Sequence, residues 1–229
     1  GSEMCIRDRN IDDPEAESVF MAMAMAWACK ELAALSRFLG DNAYALQLLE
    51  QRAALVETIN RKAWDGEWYL RAFSKFGPVG SKSSPTGGNI YINPQVWSIL
   101  ADVVPEDRLD AVLTAIDKMD KKYGIQLCEP AYLHYDSHVG RMSGMLPGLF
   151  ENGGVYNHCN AFKIMADCRL GRAEQALSTL HKMIPDSKDN PVSITGAEPY
   201  LFVNCWCMHP SFFTRIWFCL LYTSPSPRD

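Results

Sequence analysis

Apolar residues occupy every side of a helical projection from Val19 to Cys29, within a helical pattern that runs from Ala16 to Leu39. Such a helix is expected to be buried all round. Gly40 is a natural stop, and Asp41 can cap a second helix from Asn42 to about Ala63. There Tyr44, Leu48, Leu49, Leu55, Val56 and Ile59 recur at helical spacing, while Glu50, Arg52, Glu57 and Arg61 fall on the wet side.

The segment Trp64-Asp65-Gly66-Glu67-Trp68-Tyr69 predicts a tight turn or small hairpin, and Gly77 to Asn89 is rich in Gly, Pro and Ser and reads as loop. Asn93-Pro94 starts a helix over Gln95 to about Val103, with Pro at the first helical position, and Pro105 opens another to about Tyr123. Ile125 to Val155 has no sustained period and carries Pro130, Gly140, Gly144, Pro147, Gly148, Gly153 and Gly154. Loops that long inside a compact domain are usually functional. A fifth helix is expected from about Tyr156 to Leu170, ended by Gly171, and a sixth from Arg172 to about Ile184, stopped by Pro185. The pattern is all-α: three pairs, each a more buried helix joined to a more exposed one. Stacked pairs of this kind build a helical toroid, here a partial one, whose long loops gather at one end around a bowl.

Composition narrows the class. Of 229 residues, 48% are hydrophobic and 21% charged, which fits a folded domain. A net charge of −5 gives nucleic acid no reason to bind. No uncharged apolar run reaches membrane-spanning length, so no membrane partner is expected, and the start GSEMCIRDRN lacks the apolar core of a signal peptide. Cys5, Cys29, Cys128, Cys159, Cys168, Cys205, Cys207 and Cys219 form no CxxC pair. They read as reduced, buried thiols of a cytoplasmic protein, with Cys29, Cys159 and Cys168 inside helical patterns. Cys205, Cys207 and His209 could alternatively form a soft-metal cluster, but no metal site is assigned.

The sharpest chemical candidate is Pro147-Gly148-Leu149-Phe150-Glu151-Asn152-Gly153-Gly154-Val155-Tyr156-Asn157-His158. Two glycines would let the backbone approach a ligand, and a helix begins directly after them. Its first turn offers unpaired amides and a positive dipole end, an anion site to which His158 could add a donor. Glu151 can accept from sugar hydroxyls. In the competing reading, the glycines only permit a turn and His158 is structural. Trp64, Trp68, Tyr69, Tyr91, Tyr132, Tyr135 and Tyr200 are either sugar platforms or core. Asp65, Glu67 and Arg71 around the tight turn face either the bowl or solvent. Glu129 and Asp136 could do acid work, yet no second carboxylate stands in fixed relation to either. His134, His138, His181 and His209 are isolated.

Six segments occur in an order that resembles glycoside hydrolase family 94, the cellobiose and chitobiose phosphorylases. They are Glu17-Ser18-Val19, WDGEWYLRAF from Trp64, INPQVW from Ile92, YGIQL from Tyr123, PGLFENGGVYNH from Pro147 and EPY from Glu198. The resemblance covers roughly Glu15 to His209. It implies an (α/α)6 toroid and inverting phosphorolysis of a β-linked disaccharide, cellobiose-like or cellobionic acid, by inorganic phosphate. Phosphate is then a substrate and no cofactor is needed. One carboxylic acid protonates the leaving oxygen, and no general base is required.

By the same resemblance, His158 and Asn204 are phosphate-binding. Glu151, Arg141, Asn152, Arg71 and Glu198 form the substrate-binding set, with Arg141 on the acceptor side hinting at an acidic acceptor. The full-length parent could be a homodimer. The chain also departs from the family. The Trp-Asn-Asp motif that carries the general acid is absent from the stretch CIRDRNIDDPEA, and the role does not pass to Asp12 or Asp13. No catalytic residue is therefore assigned. The Thr-Gly phosphate element is absent too, and Phe150 stands where many members have lysine. Residues 1–14 and 218–229 read as foreign tails around a partial catalytic domain at 15–217, so the chain reads as a fragment, and the missing general acid implies that it is inactive. The alternatives are a non-catalytic helical-repeat interaction module and a related (α/α)6 glycoside hydrolase.

Overall fold

A computed structural model describes residues 16–184, 202, 204–206 and 208. Among them are six α-helices: α1 (Val19–Phe38), α2 (Asn42–Lys62), α3 (Ile92–Leu100), α4 (Glu106–Lys118), α5 (Asn157–Arg169) and α6 (Ala173–Met183). Successive helices pair, α1 with α2, α3 with α4 and α5 with α6, while α1, α3 and α5 pack side by side as an inner row. The ends follow local chemistry. Ser18 Oγ accepts the Met21 amide at 3.3 Å and Asp41 Oδ1 accepts the Tyr44 amide at 2.9 Å, so α1 and α2 are each capped by the side chain that precedes them. Gly40 and Gly171, at φ of +86° and +71°, terminate α1 and α5.

The fold is helix-rich but not all-α. Short strands also occur: β1 (Glu17–Ser18), β2 (Ala72–Ser74), β3 (Gly77–Val79), β4 (Ile90–Tyr91), β5 (Asp120–Lys121), β6 (Gly124–Ile125), β7 (Cys128–Glu129), β8 (Val155–Tyr156) and β9 (Cys205–Trp206). They are too short to carry an alternating pattern, which is why hydropathy does not reveal them. Their arrangement repeats. Each inner helix is entered through a two-residue strand that pairs antiparallel with a strand lying after the outer helix: β1 with β2, β4 with β7 and β8 with β9. The first amide of each inner helix donates to the carbonyl just before that second strand: Val19 to Arg71 at 3.2 Å, Ile92 to Leu127 at 3.1 Å and Asn157 to Asn204 at 3.0 Å. The starts of all three inner helices are thus pinned at one end of the fold, where the loops converge.

Several expectations need correction. Gly77–Val79 is a strand rather than loop. The third helix begins at Ile92, so Pro94 is its third residue, a position whose amide has no helical partner and can be dispensed with. The fourth ends at Lys118, because the next residues turn into the β5–β6 hairpin.

The first helix is not buried all round. Phe20, Met23, Ala26, Cys29 and Ala33 are buried, but Met21, Met25, Leu32, Leu35 and Leu39 form an exposed stripe opposite. By length and composition alone this helix could cross a membrane. Its buried face is instead occupied by α2 and α3. Cys168, expected to be buried, is exposed, whereas Cys29, Cys128, Cys159 and Cys205 are buried free thiols.

Away from the converging loops, the middle of α1 and the far end of α5 meet at Asp102. This residue adopts φ of +52° after α3, and its carboxylate takes Lys30 from α1 at 2.6 Å and Arg169 from α5. These two cations hold its pKa below the ordinary carboxylate value, although partial burial works the other way.

Candidate functional site

The site is built where the inner helices begin. His158 is the second residue of α5, with its ring edge-on to Tyr156 and Phe162 at centroid distances of 5.3 and 5.9 Å. Its Nε2 lies 3.2 Å from Cys159 Sγ, while Nδ1 makes no hydrogen bond among the described residues. Burial holds its pKa down at about 4, with the Arg71 guanidinium contributing, so the imidazole is neutral at pH 7 and acts as a hydrogen-bonding group. Arg71 is 3% exposed, and its guanidinium lies over the Phe20 and Tyr91 rings at 5.8 and 6.0 Å. A buried cation beside a neutral histidine suits an oxyanion better than it suits a metal. No cluster of three or more His, Cys, Asp or Glu occurs among the described residues, and Cys207 and His209 lie outside them.

The remaining candidates fall at different depths. Asn204 sits next to the α5 start, its carbonyl taking the Asn157 amide at 3.0 Å. That bond removes one of the unpaired amides expected of a helix N-terminus, so the dipole end is narrower than the sequence suggests. Asn152 is fully buried, and its amide is engaged by Tyr132 N at 2.6 Å, Tyr132 O at 2.9 Å and Met145 O at 2.7 Å, which holds the long loop together. Glu151 is half-buried beside it. Arg141 is exposed at the start of a 3₁₀ turn (Arg141–Gly144), one residue from Met142, whose sulfur meets the Tyr91 hydroxyl at 3.9 Å. Glu198 and Tyr200 lie outside the described residues, as do Asp12, Asp13 and both expected tails.

The two glycines before the helix are required by the fold itself. Gly153 has φ of +82°, and a Cβ on Gly154 would stand 2.5 Å from the Phe150 carbonyl oxygen. Beside the β2–β3 hairpin, a cavity of about 550 Å³ is lined by Phe76, Gly80, Ser81, Tyr132, Asp136 and His138. Phe76 and His138 stack there with centroids 4.7 Å apart. The Tyr91 and Tyr132 hydroxyls, 2.8 Å apart, connect this cavity to the Arg71 side of the site. Sequence reasoning left Asn93 and Cys159 without a role, although both lie in or beside segments it singled out. Cys159 Sγ is 3.4 Å from Asn93 Oδ1, and both residues are fully buried.

Three helix pairs whose inner members lie side by side and begin at one end define a helix-paired domain architecture. The solved structures similar to this fold include GH63 mannosylglycerate hydrolase from Thermus thermophilus in complex with Tris, with a TM-score of 0.50 and 15% identity over 72% of this chain and 36% of that one. An uncharacterized conserved protein from the same organism gives a TM-score of 0.51 and 14% identity over 73% of this chain and 39% of that one. At such identities the likeness concerns fold alone.

The chain belongs to the glycosyl hydrolase 94 superfamily, matching its catalytic domain over residues 5–209. Similar curated proteins include a solabiose phosphorylase of Paenibacillus borealis, 38% identical over 84% of this chain and 25% of the relative. A 3-O-beta-D-glucopyranosyl-beta-D-glucuronide phosphorylase of the same organism is 35% identical over 82% and 24%. A cellobionic acid phosphorylase of Neurospora crassa is 30% identical over 82% and 24%. The chain therefore spans about a quarter of the length of these relatives.

Proposed function

We propose that this chain is part of an inverting disaccharide phosphorylase, contributing half of an (α/α)6 toroid and the phosphate-facing portion of its site. The observation that carries the reading is His158: a neutral imidazole at the start of an inner helix, with the buried Arg71 cation acting on it. Inorganic phosphate would take hydrogen bonds from His158, with Asn204 alongside, and attack the anomeric carbon of a β-glucosidic disaccharide. Glu151 would accept from sugar hydroxyls. No second carboxylate is needed, because phosphate is itself the nucleophile.

Arg141 is the group suited to an acidic acceptor, and two of the relatives carry a glucuronide or cellobionic acid in their names. Cellobionic acid is therefore the first substrate to test, with cellobiose as its neutral counterpart. The sequence holds no Trp-Asn-Asp acid motif, so the isolated chain should give no measurable turnover. Loss of a general acid alone costs about 10² to 10⁴ in rate.

Calorimetric titration of inorganic phosphate into the chain tests the reading. Saturable binding that His158→Ala abolishes supports it, and binding that survives the substitution removes it. Release of a sugar 1-phosphate from cellobionic acid by the longer protein containing this segment tests the substrate.

A further inference from the structure

We propose that Cys159 is a positioning residue for His158: its thiol donates to Nε2 and so fixes the tautomer that carries its proton on Nδ1, the nitrogen left for the anion. This rests on the phosphate-site reading above and adds to it the residue that sets the polarity of the imidazole.

Three groups are linked in sequence. Asn93 from α3, Cys159 from α5 and the His158 ring are linked by contacts of 3.4 Å at Sγ and 3.2 Å at Nε2. Asn93 and Cys159 are both fully buried, so water does not compete for these bonds. Among these three groups, the single thiol proton can be hydrogen-bonded in two ways.

In the first, the thiol donates to the Asn93 oxygen and Nε2–H donates to sulfur. That arrangement leaves Asn93 Nδ2 buried without a hydrogen-bond partner. It also leaves Nδ1 with a bare lone pair, which would repel an anion placed against it. In the second, the two ends of the Asn93 amide, which are isosteric, exchange places. Nδ2 then donates to sulfur, the thiol donates to Nε2 and Nδ1 carries the remaining proton.

The second arrangement satisfies the buried donor and leaves only a carbonyl oxygen short of a partner, the less costly of the two. It also gives the thiol proton to an imidazole nitrogen, a far better acceptor than an amide oxygen is for S–H. Because burial keeps His158 neutral, the tautomer and not the charge decides whether the ring can donate to an oxyanion. Cys159 thereby links two inner helices and sets the direction of the hydrogen bond offered to phosphate.

The test uses the full chain labelled with nitrogen-15. Long-range proton–nitrogen correlation spectra read the His158 tautomer directly, and the same spectra follow a titration with inorganic phosphate. In the native chain Nδ1 should be protonated and Nε2 bare. Cys159→Ser keeps a donor and should keep that tautomer. Cys159→Ala should release the ring toward the Nε2–H form and weaken phosphate binding about tenfold or more, the effect of one misdirected hydrogen bond to a charged group.

A native spectrum showing Nε2–H overturns the proposal, as does an unchanged tautomer in Cys159→Ala. The native spectrum needs no variant, so a substitution that fails to fold does not shelter the idea. If the tautomer behaves as stated but phosphate leaves the His158 resonances unmoved, the positioning role stands and the phosphate-site reading falls.

Discussion

Arg71 and Asn204 occupy the same place in two repeats of the fold: the carbonyl of each accepts the first amide of an inner helix, from Val19 and Asn157 respectively. Leu127 holds that place in the middle repeat, where it receives Ile92. Two of the residues proposed to serve ligand are therefore also the joints that fix where α1 and α5 begin. Side chains at these joints sit beside helix starts by construction of the repeat. The middle joint is apolar, which leaves Asn93 and Tyr91 to supply polar groups in its sector.

Gln95 on α3 fastens another joint. It accepts the Tyr69 amide at 2.9 Å and returns Nε2 to the Tyr69 and Tyr91 carbonyls at 2.8 and 2.9 Å, with no exposure to solvent. Gln95→Leu fills similar space but leaves the buried Tyr69 amide and carbonyl without their partner. The expected loss is about 3 kcal/mol of unfolding free energy, read from urea denaturation. A loss under about 1 kcal/mol would show that these groups find other partners.

Lys163 and Asp167, both on α5, form a buried i,i+4 ion pair at 2.7 Å, supported by Thr179 of α6 on the lysine at 2.9 Å and Arg172 on the aspartate at 3.2 Å. Removing Asp167 leaves the buried lysine without a counter-charge, and removing Lys163 leaves the buried aspartate with Arg172 alone. Lys163→Met and Asp167→Leu should each cost about 3–5 kcal/mol, and the double variant clearly less than their sum. Thermal melts of the three variants check this. Strict additivity would mean that the two charges do not stabilise each other.

Much of this was legible in the sequence, for reasons that differ by element. The caps at Asp41, Gly40 and Gly171 were readable because each acts through its own backbone or a neighbour. The pairing of helices followed from apolar periodicity and short connections. The strands that pin the inner helices were not readable as strands, since two residues cannot show a period. Their trace is instead the recurrence of a β-branched residue followed by Tyr at Ile90-Tyr91 and Val155-Tyr156, each directly before a helix. In the candidate site, His158 stands inside a readable motif and Asn204 shortly after another, and the structure places both at the start of α5. The Asn93–Cys159 contact was not legible, because it joins residues 66 positions apart through a buried line that only packing creates.

Met21, Met25, Leu32, Leu35 and Leu39 follow one stripe of α1 and are 38 to 71% exposed. Hydropathy marked this helix for burial on all sides, and the chain covers only one of them. An apolar ridge of that length exposed to water promotes association. The isolated chain should self-associate with rising concentration in analytical ultracentrifugation. Met25→Glu combined with Leu35→Glu should return it to a monomer without lowering helicity. A native chain that stays monomeric at every concentration would show that this stripe is covered by the chain itself.

The depressed pKa of His158 makes stability fall on mild acidification. Its folded value of about 4 lies below the ordinary histidine value near 6.5, and burial is the main cause. On acidification the unfolded chain binds the proton first, so the native state loses ground. The contribution is complete above about pH 6.5, declines through the window down to about pH 4 and changes no further below it. Over that window the loss should be on the order of 2 kcal/mol, allowing for the partial exposure of the ring. Asp102, whose pKa is lowered from the ordinary 3.8, acts in a separate, more acidic window, where its pairing with Lys30 and Arg169 is lost as the carboxylate protonates. Unfolding midpoints measured across pH for the native chain and for His158→Phe should therefore diverge between about pH 6.5 and 4 and run parallel below. Parallel curves throughout would mean that the imidazole titrates near its ordinary value and is more open to water than its surroundings indicate.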